Sequence, residues 1–366
     1  MESARAVSGT GGLEGVVVAD TRLSEVDGEA GRLIVAGHDI EELAGVVTFE
    51  EVCAALWGSA LPDASRREQV RVAIAEGRTM AFEHLPSLGD ALDRADGMDA
   101  LRAAVAHLSV HDGFDSPARV TGAMAVFAAA WARVRAKLQP VAPDPSLGQA
   151  ADYLHMVQGR LPGEPQSAAL DAYLVTVADH GMNASTFAAR VVTSTGSDLV
   201  SSVVAAIAAL KGPLHGGAPG PVLDMLDAIG SPERAASWIE GELAAGRRIM
   251  GMGHRIYRVR DPRAAMLERA TLRLERAGAS SGRLALARAV ESAAEGALKV
   301  KYPNRPLRAN VEFYTAVLLD TLGLDRTSFT PTFAVGRVAG WAAHVEEQRA
   351  NGRLIRPASR YVGPRA

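Results

Sequence analysis

Residues 197–211 read Ser197-Asp198-Leu199-Val200-Ser201-Ser202-Val203-Val204-Ala205-Ala206-Ile207-Ala208-Ala209-Leu210-Lys211, and Gly212-Pro213-Leu214-His215-Gly216-Gly217 follows at once. Apolar side chains occur all the way round the 3.6-residue period, which predicts a helix fully buried in the core or against a second subunit. Its apolar part, 200–210, is about half the ~20 residues that a membrane span requires. The helix ends on glycine and proline, and the loop that follows carries a histidine between small residues.

The same period recurs on both sides of this run. Thr48-Phe49-Glu50-Glu51 has the form of a capping box, with apolar residues at helical spacing through Trp57 until Pro62. Helical patterning continues over 64–110 with a break at Leu85-Pro86-Ser87, then over 118–138, 146–158 and 167–179. Beyond Gly230 it returns at 232–246, 262–277, 281–300, 311–322 and 332–349. Short β-rich runs occur only at the front, at 15–19 and 32–36, separated by Asp27-Gly28-Glu29, and predict a small hairpin. No sustained strand alternation follows residue 40. The fold class is mostly α, in two domains, with a small N-terminal β hairpin.

Composition narrows the function classes. A chain of 366 residues exceeds one ordinary core. The hydrophobic share is 48% but aromatics give only 5%, so the core must be packed with Ala, Val, Leu and Ile. A net charge of −3 gives no general pull toward nucleic acid or an anionic membrane. The single cysteine, Cys53, forms no internal disulfide and reads as a small buried apolar residue in a reducing cytoplasm. The first twelve residues lack an apolar signal region and read as a frayed tail. These features point to a soluble, cytoplasmic protein.

Three loops carry chemistry. His215 lies in the loop quoted above, His254 in Gly251-Met252-Gly253-His254-Arg255, and Glu312 in Asn310-Val311-Glu312-Phe313-Tyr314. Two have a plainer reading: His215 as a helix-end histidine bonded to a carbonyl, Glu312 as a first-turn charge favoured by the helix dipole. Arg255, Arg258, Arg260 and Arg263 make a local cationic field beside His254, suited to carboxylates or phosphates. Jointly, two neutral imidazoles and a carboxylate can take a proton beside a carbonyl while hydrogen bonds hold the oxyanions. His38, His84, His107, His111 and His155 lack ligand spacing, and no H-E-x-x-H, C-x-x-C or EF-hand pattern predicts a metal. Gly251-x-Gly253 lacks the third glycine and the βαβ setting of a dinucleotide fingerprint. The arginine- and proline-bearing tail from Arg349 reads, on composition, as a solvated extended segment.

Several motifs together resemble the citrate synthase family, over essentially the full length. They are Gly12-Leu13-Glu14-Gly15, Ile40-Glu41-Glu42-Leu43-Ala44, Asp179-His180-Gly181-Met182-Asn183-Ala184-Ser185, Gly212 through Gly217, Gly253-His254 with Asp261-Pro262-Arg263, Asn310 through Tyr314, and Arg356-Pro357. The resemblance implies a homodimer of helical subunits, with a large domain over 1–215, a small domain over 216–320 and a return to the large domain with a C-terminal arm over 321–366. It implies condensation of oxaloacetate with acetyl-CoA as co-substrate, no permanently bound cofactor, and hydrolysis of the thioester. By position, His215 would hold the thioester carbonyl, His254 would polarise the ketone, and Glu312 would take the methyl proton. His180, Arg263 and Arg337 would bind the oxaloacetate carboxylates, and Gly251, Met252 and Gly253 would face the adenine end of CoA. Arg356 would enter the partner's site, which reverses the reading of a merely solvated tail.

One departure stands out: the family's usual base is aspartate, and here it is Glu312. Intrinsic basicity hardly differs, at about 3.9 against 4.3, so geometry is at issue. Some bacterial members carry Glu here, and the resemblance then implies a shifted backbone. A 2-methylcitrate synthase using propionyl-CoA stays an alternative, because one methylene in an acyl pocket is worth only ~1–3 kcal/mol. A paralogue that binds CoA or dicarboxylate without turnover is the other, supported only by Glu312 and opposed by the retained histidines and arginines.

Overall fold

The computed structural model describes residues 12, 13, 15–58, 60–216, 219–279 and 282–365. Residues 1–11 of the expected twelve-residue tail, Glu14 of the first motif and Gly217 of the His215 loop lie outside the described residues. The described chain is mostly helical. At the front, three short antiparallel strands, β1 (Ser24–Asp27), β2 (Arg32–Val35) and β3 (His38–Asp39), form one sheet in sequence order. The first strand differs from the expected 15–19: that run starts in a turn and pairs with no strand, with Val17 82% exposed. Ser24–Asp27 pairs instead, because the turn at 28–31 brings it directly opposite Arg32–Val35, with Ser24 facing Val35.

Fifteen helices follow. Those leading to the first histidine motif are α1 (Ile40–Leu43), α2 (Phe49–Gly58), α3 (Ala64–His84), α4 (Gly97–Ala106), α5 (Pro117–Arg135), α6 (Gln149–Gln158) and α7 (Glu164–Val177). The Thr48 capping box forms: the Thr48 N–H donates to Glu51 Oε2 at 2.7 Å, and the Glu51 N–H donates to Thr48 Oγ1 at 3.3 Å. α5 is buried along most of its length and runs beside α3, α4 and α6 at the centre of this half. Cys53 is buried in α2, and burial pushes its thiol well above the ordinary range.

The remaining helices are α8 (Ala184–Thr193), α9 (Leu199–Leu210), α10 (Pro219–Ile229), α11 (Ala235–Ala244), α12 (Pro262–Arg276), α13 (Arg283–Lys301), α14 (Val311–Thr321) and α15 (Phe329–Asn351). α8 and α10 had no counterpart in the sequence reading; each is flanked by a chemistry-bearing loop whose glycines mask the period. α9 is not buried all round within the single chain: Ser201 and Ala208 are exposed along one stripe, which leaves the expected contact with a second subunit as the alternative. No described helix is long and apolar enough to cross a membrane.

α15 frames the site. Gly340 has no room for a side chain: a Cβ there would lie 2.4 Å from the carbonyl oxygen of Ala178 and 2.6 Å from Asp179 Oδ1. Its N–H donates to that Ala178 carbonyl at 3.1 Å. The close approach presses α15 onto the end of α7, so Arg337, Trp341 and His344, spaced at helical turns, face the Asp179-His180 turn.

Candidate active site

The site gathers around helix beginnings. His180 precedes α8, Arg263 is the second residue of α12, and Glu312 is the second residue of α14. Each helix is capped by its motif: Asn183 Oδ1 accepts from the Ser185 and Thr186 N–H groups, Asp261 Oδ1 from Arg263, and Asn310 Oδ1 from Glu312. Orphan N–H groups are thereby satisfied, and each of the three helix beginnings carries a partial positive charge suited to an anion.

His254 has one defined tautomer. Its Nδ1 accepts the N–H groups of Ile256 and Tyr257, each at 3.1 Å, so the ring proton sits on Nε2 and that edge is a donor. Burial and the Arg263 charge, against the pull of Asp261, lower its pKa to about 4, so the ring is neutral at pH 7. The His180 ring lies edge-on to it at 5.6 Å, and Tyr257 lies beside it at 4.7 Å. His180 Nε2 meets the Tyr257 hydroxyl at 3.1 Å; burial and then Arg263 and Arg337 hold His180 well below the ordinary histidine range.

His215 is also lowered to about 4, by burial and by Arg337. Its Nε2 meets Ser185 Oγ at 2.8 Å. That hydroxyl lies 2.7 Å from Asn183 Oδ1 and accepts the Trp341 indole N–H at 3.0 Å. Ser185 has one proton to place. Turned to Asn183, it leaves His215 donating from Nε2; turned to His215, it puts the ring proton on Nδ1, the free edge. Leu214, beside this histidine, is 88% exposed.

Glu312 brings the carboxylate. Its Oε2 is buried with no hydrogen-bond partner. Burial raises its pKa to about 7 even though Arg263 and Arg337 pull the other way. The Asn310 motif is stitched to the Gly251 loop: Asn310 N–H donates to Gly251 O at 3.0 Å, and Gly253 N–H to Arg308 O at 2.7 Å. Gly251 and Gly253 have φ of 72° and 94°, and a Cβ on Gly251 would stand 2.8 Å from the Phe313 ring. Those two hydrogen bonds flank Met252 in its bridge to Ala309, so the N–H and C=O of Met252 point to the other side.

The arginines sort differently from the expected cationic field. Arg255 and Arg258 are exposed, and Arg260 is held by Glu268 and Glu291 at 2.7 Å over the Tyr314 ring. The carboxylates of α12 and α13 draw it away. Of the four, only Arg263 is buried at the site, forked onto Asp261 at 3.0 and 2.7 Å. Arg337 joins it from α15, donating through Nε to Val177 O at 2.6 Å and stacked on Phe333, with Nη2 buried and unpartnered. Burial lowers its pKa to about 10, still a full cation at pH 7. Arg356 is not brought to this cluster. It is exposed on the extended segment after α15 and lines a cleft of about 810 Å³ with Arg22, Arg190 and Glu347. That cleft is lined mainly by the two ends of the chain, residues 13–22 and 347–357.

Sequence reasoning missed a second layer. Asp179 Oδ2 accepts from Ser24 Oγ and from His344 Nε2 at 3.3 Å, and His344 Nδ1 accepts from Arg190 Nη1 at 2.9 Å. Arg190 in turn pairs with Glu347 at 2.7 Å. Burial opposes the Asp179 charge, but His344, Ser24 and Arg337 outweigh it and keep the carboxyl below its ordinary range. The signal was legible: Trp341, His344 and Gln348 follow Arg337 at 4, 7 and 11 residues, one helical stripe of polar and aromatic groups.

A helical frame that holds proton-moving groups neutral beside buried guanidinium charges is that of an acid–base enzyme working on an anionic carbonyl compound. The family described as "Citrate synthase, C-terminal domain" matches residues 12–358. The chain is 38% identical to the citrate synthase of Haloferax volcanii, over 96% of this chain and 95% of that one. It is 37% identical to a 2-methylcitrate synthase of Mycobacterium tuberculosis, over 96% and 90%. The solved citrate synthase of Thermoplasma acidophilum, in a ternary complex with carboxymethyl coenzyme A and oxaloacetate, superposes with a TM-score of 0.85 at 28% identity, over 96% and 95%. The chain belongs to the citrate synthase family.

Proposed function

We infer that the chain is a citrate synthase: it joins the methyl carbon of acetyl-CoA to the ketone carbon of oxaloacetate and then hydrolyses citryl-CoA to citrate and CoA. The observation that carries the reading is Glu312, a buried carboxylate with a pKa near 7 between two buried arginines, flanked by histidines held neutral. A base poised at the working pH takes a weakly acidic C–H proton best. Glu312 removes a methyl proton, and the enol oxygen is held by His215 through its free edge. The enol carbon attacks the ketone carbon, and the ketone oxygen takes the proton from His254 Nε2. Water then cleaves the thioester, releasing the CoA thiol.

His180, Arg263 and Arg337 bind the oxaloacetate carboxylates, the unpartnered Nη2 of Arg337 being the open donor. Met252, with its neighbours Gly251 and Gly253, faces the adenine end of CoA. Residues 216–320 form the small domain that closes on the large domain of 1–215 and 321–366, excluding water during enolisation. The working unit is a homodimer in which Arg356 enters the partner's site. Acetyl-CoA is a co-substrate, no cofactor is held permanently, and the reaction belongs to the cytoplasm.

The Mycobacterium relative supports a second reading, 2-methylcitrate synthesis from propionyl-CoA. Free thiol release from the purified protein with oxaloacetate separates them. Faster release from acetyl-CoA supports citrate synthesis, and faster release from propionyl-CoA supports methylcitrate synthesis. Oxaloacetate binding without release from either would make the chain a binding paralogue.

A further inference from the structure

The N-terminal hairpin touches both loops that carry the His180–His254 pair. Ser24 in β1 brackets His180: its Oγ donates to Asp179 and accepts the Gly181 N–H at 2.9 Å. Four residues on, at the turn of the same hairpin, the Gly28 carbonyl accepts the Arg258 N–H at 2.8 Å. A Cβ on Gly28 would lie 2.4 Å from the carbonyl oxygen of Ile256. Ile256 supplies one of the two N–H groups that fix His254 Nδ1. One short hairpin therefore abuts both sides of an imidazole pair whose rings stand 5.6 Å apart.

The hairpin is anchored well enough to act as a spacer. Leu23, Leu33 and Val35 are buried, the Ala36 N–H donates to Leu23 O at 2.7 Å, and four residue pairs set the register. Tyr257 already braces the two rings from within, by its N–H to His254 and its hydroxyl to His180. The hairpin braces the same pair from outside.

We propose that Ser24 and Gly28 are positioning residues, and that the hairpin sets the spacing of His180 and His254. The proposal rests on the assignment of these imidazoles to oxaloacetate. Neither residue touches substrate; each acts through a loop. The neighbour at Gly28 is backbone, so a Cβ forces the hairpin turn and the 254–258 loop apart; a shift of about 1 Å carried into that loop can cost on the order of 100-fold in rate.

Gly28→Ala is expected to lower kcat by about 10- to 100-fold and to leave the KM for acetyl-CoA within about twofold. Glu29→Ala, in the same turn and exposed, should match the parent. Ser24→Ala should raise the KM for oxaloacetate by roughly tenfold, and Ser24→Thr, which keeps the hydroxyl on a strand that favours β-branching, should restore it. Imidazole nitrogen NMR of the resting protein supplies a readout independent of turnover: the His254 resonances should move in Gly28→Ala and not in Glu29→Ala. Parent-like kcat with unmoved resonances in Gly28→Ala would overturn the proposal. If the parent turns over no acyl-CoA, the assigned reaction fails while the NMR comparison still decides the role of the hairpin. If Gly28→Ala does not fold, Ser24→Ala decides it: a moved His180 resonance, restored by Ser24→Thr, supports the proposal, and an unmoved one overturns it.

Discussion

The side-chain amide of Asn310 donates to the carbonyl of Gly253 at 2.8 Å, while its oxygen caps the N–H of Glu312 at 3.0 Å. One side chain thus spaces the carboxylate from the neighbouring His254. Asn310→Asp keeps the cap but loses the donor and sets a second carboxylate near Glu312. Like charge disfavours ionisation, so the acid limb of the rate profile should move to higher pH, with kcat at pH 7 down about tenfold. A kcat–pH profile identical to the parent's would show that Asn310 only caps the helix.

Glu312 should impose its own titration on the reaction. With a pKa near 7, kcat/KM should fall about tenfold per pH unit below that value and level off above it. Glu312→Gln should remove both the activity and the limb. A profile flat from pH 5 to 8 would place the base elsewhere.

The same shift makes a stability claim of definite sign. The carboxyl ionises at about 7 in the folded chain against an ordinary 4.5, so the folded state binds more protons between those values. Stability from this group is full below 4.5 and is lost as pH rises through 7, by up to roughly 3 kcal/mol. Glu312→Gln should therefore raise the denaturant midpoint at pH 8 and leave it nearly unchanged at pH 4. Equal gains at both pH values would mean that charge burial is not the cause.

Glu312→Asp tests whether the loop is built for the longer side chain. Shortening by one methylene withdraws the carboxylate by about 1 Å, so kcat should fall on the order of 100-fold while substrate binding persists. Full activity would mean that the site adjusts to either base.

Ser185 has no direct contact with substrate in the proposed reaction, yet it holds His215. Ser185→Ala leaves Nε2 of His215 and the Trp341 indole N–H without their shared partner. The expected loss is about 10- to 100-fold in kcat, with oxaloacetate affinity nearly intact. A loss confined to oxaloacetate KM would move Ser185 into the other half of the site.

Much of this was readable along the chain. Proline, glycine and capping signals placed most helices to within a few residues, since those are local preferences, and Asn183, Asp261 and Asn310 each cap the helix their motif begins. The misses have physical reasons. Strand pairing at Ser24 depends on which segment the 28–31 turn brings opposite, not on the β-propensity of the valines at 16–18. Arg260 and Arg263 look alike in sequence and part company because Glu268 and Glu291 claim one while Asp261 holds the other in the interior.

The order of motifs along the chain determined the family and the helical class, because those depend on residue type and local spacing. The tertiary structure alone decided how the groups are tuned. Which nitrogen of His254 bears the proton, why Glu312 titrates near 7, and how Arg190 comes to His344 across 154 residues are set by burial and by partners distant in the chain. Desolvation and hydrogen bonding act through space, and no local pattern encodes them.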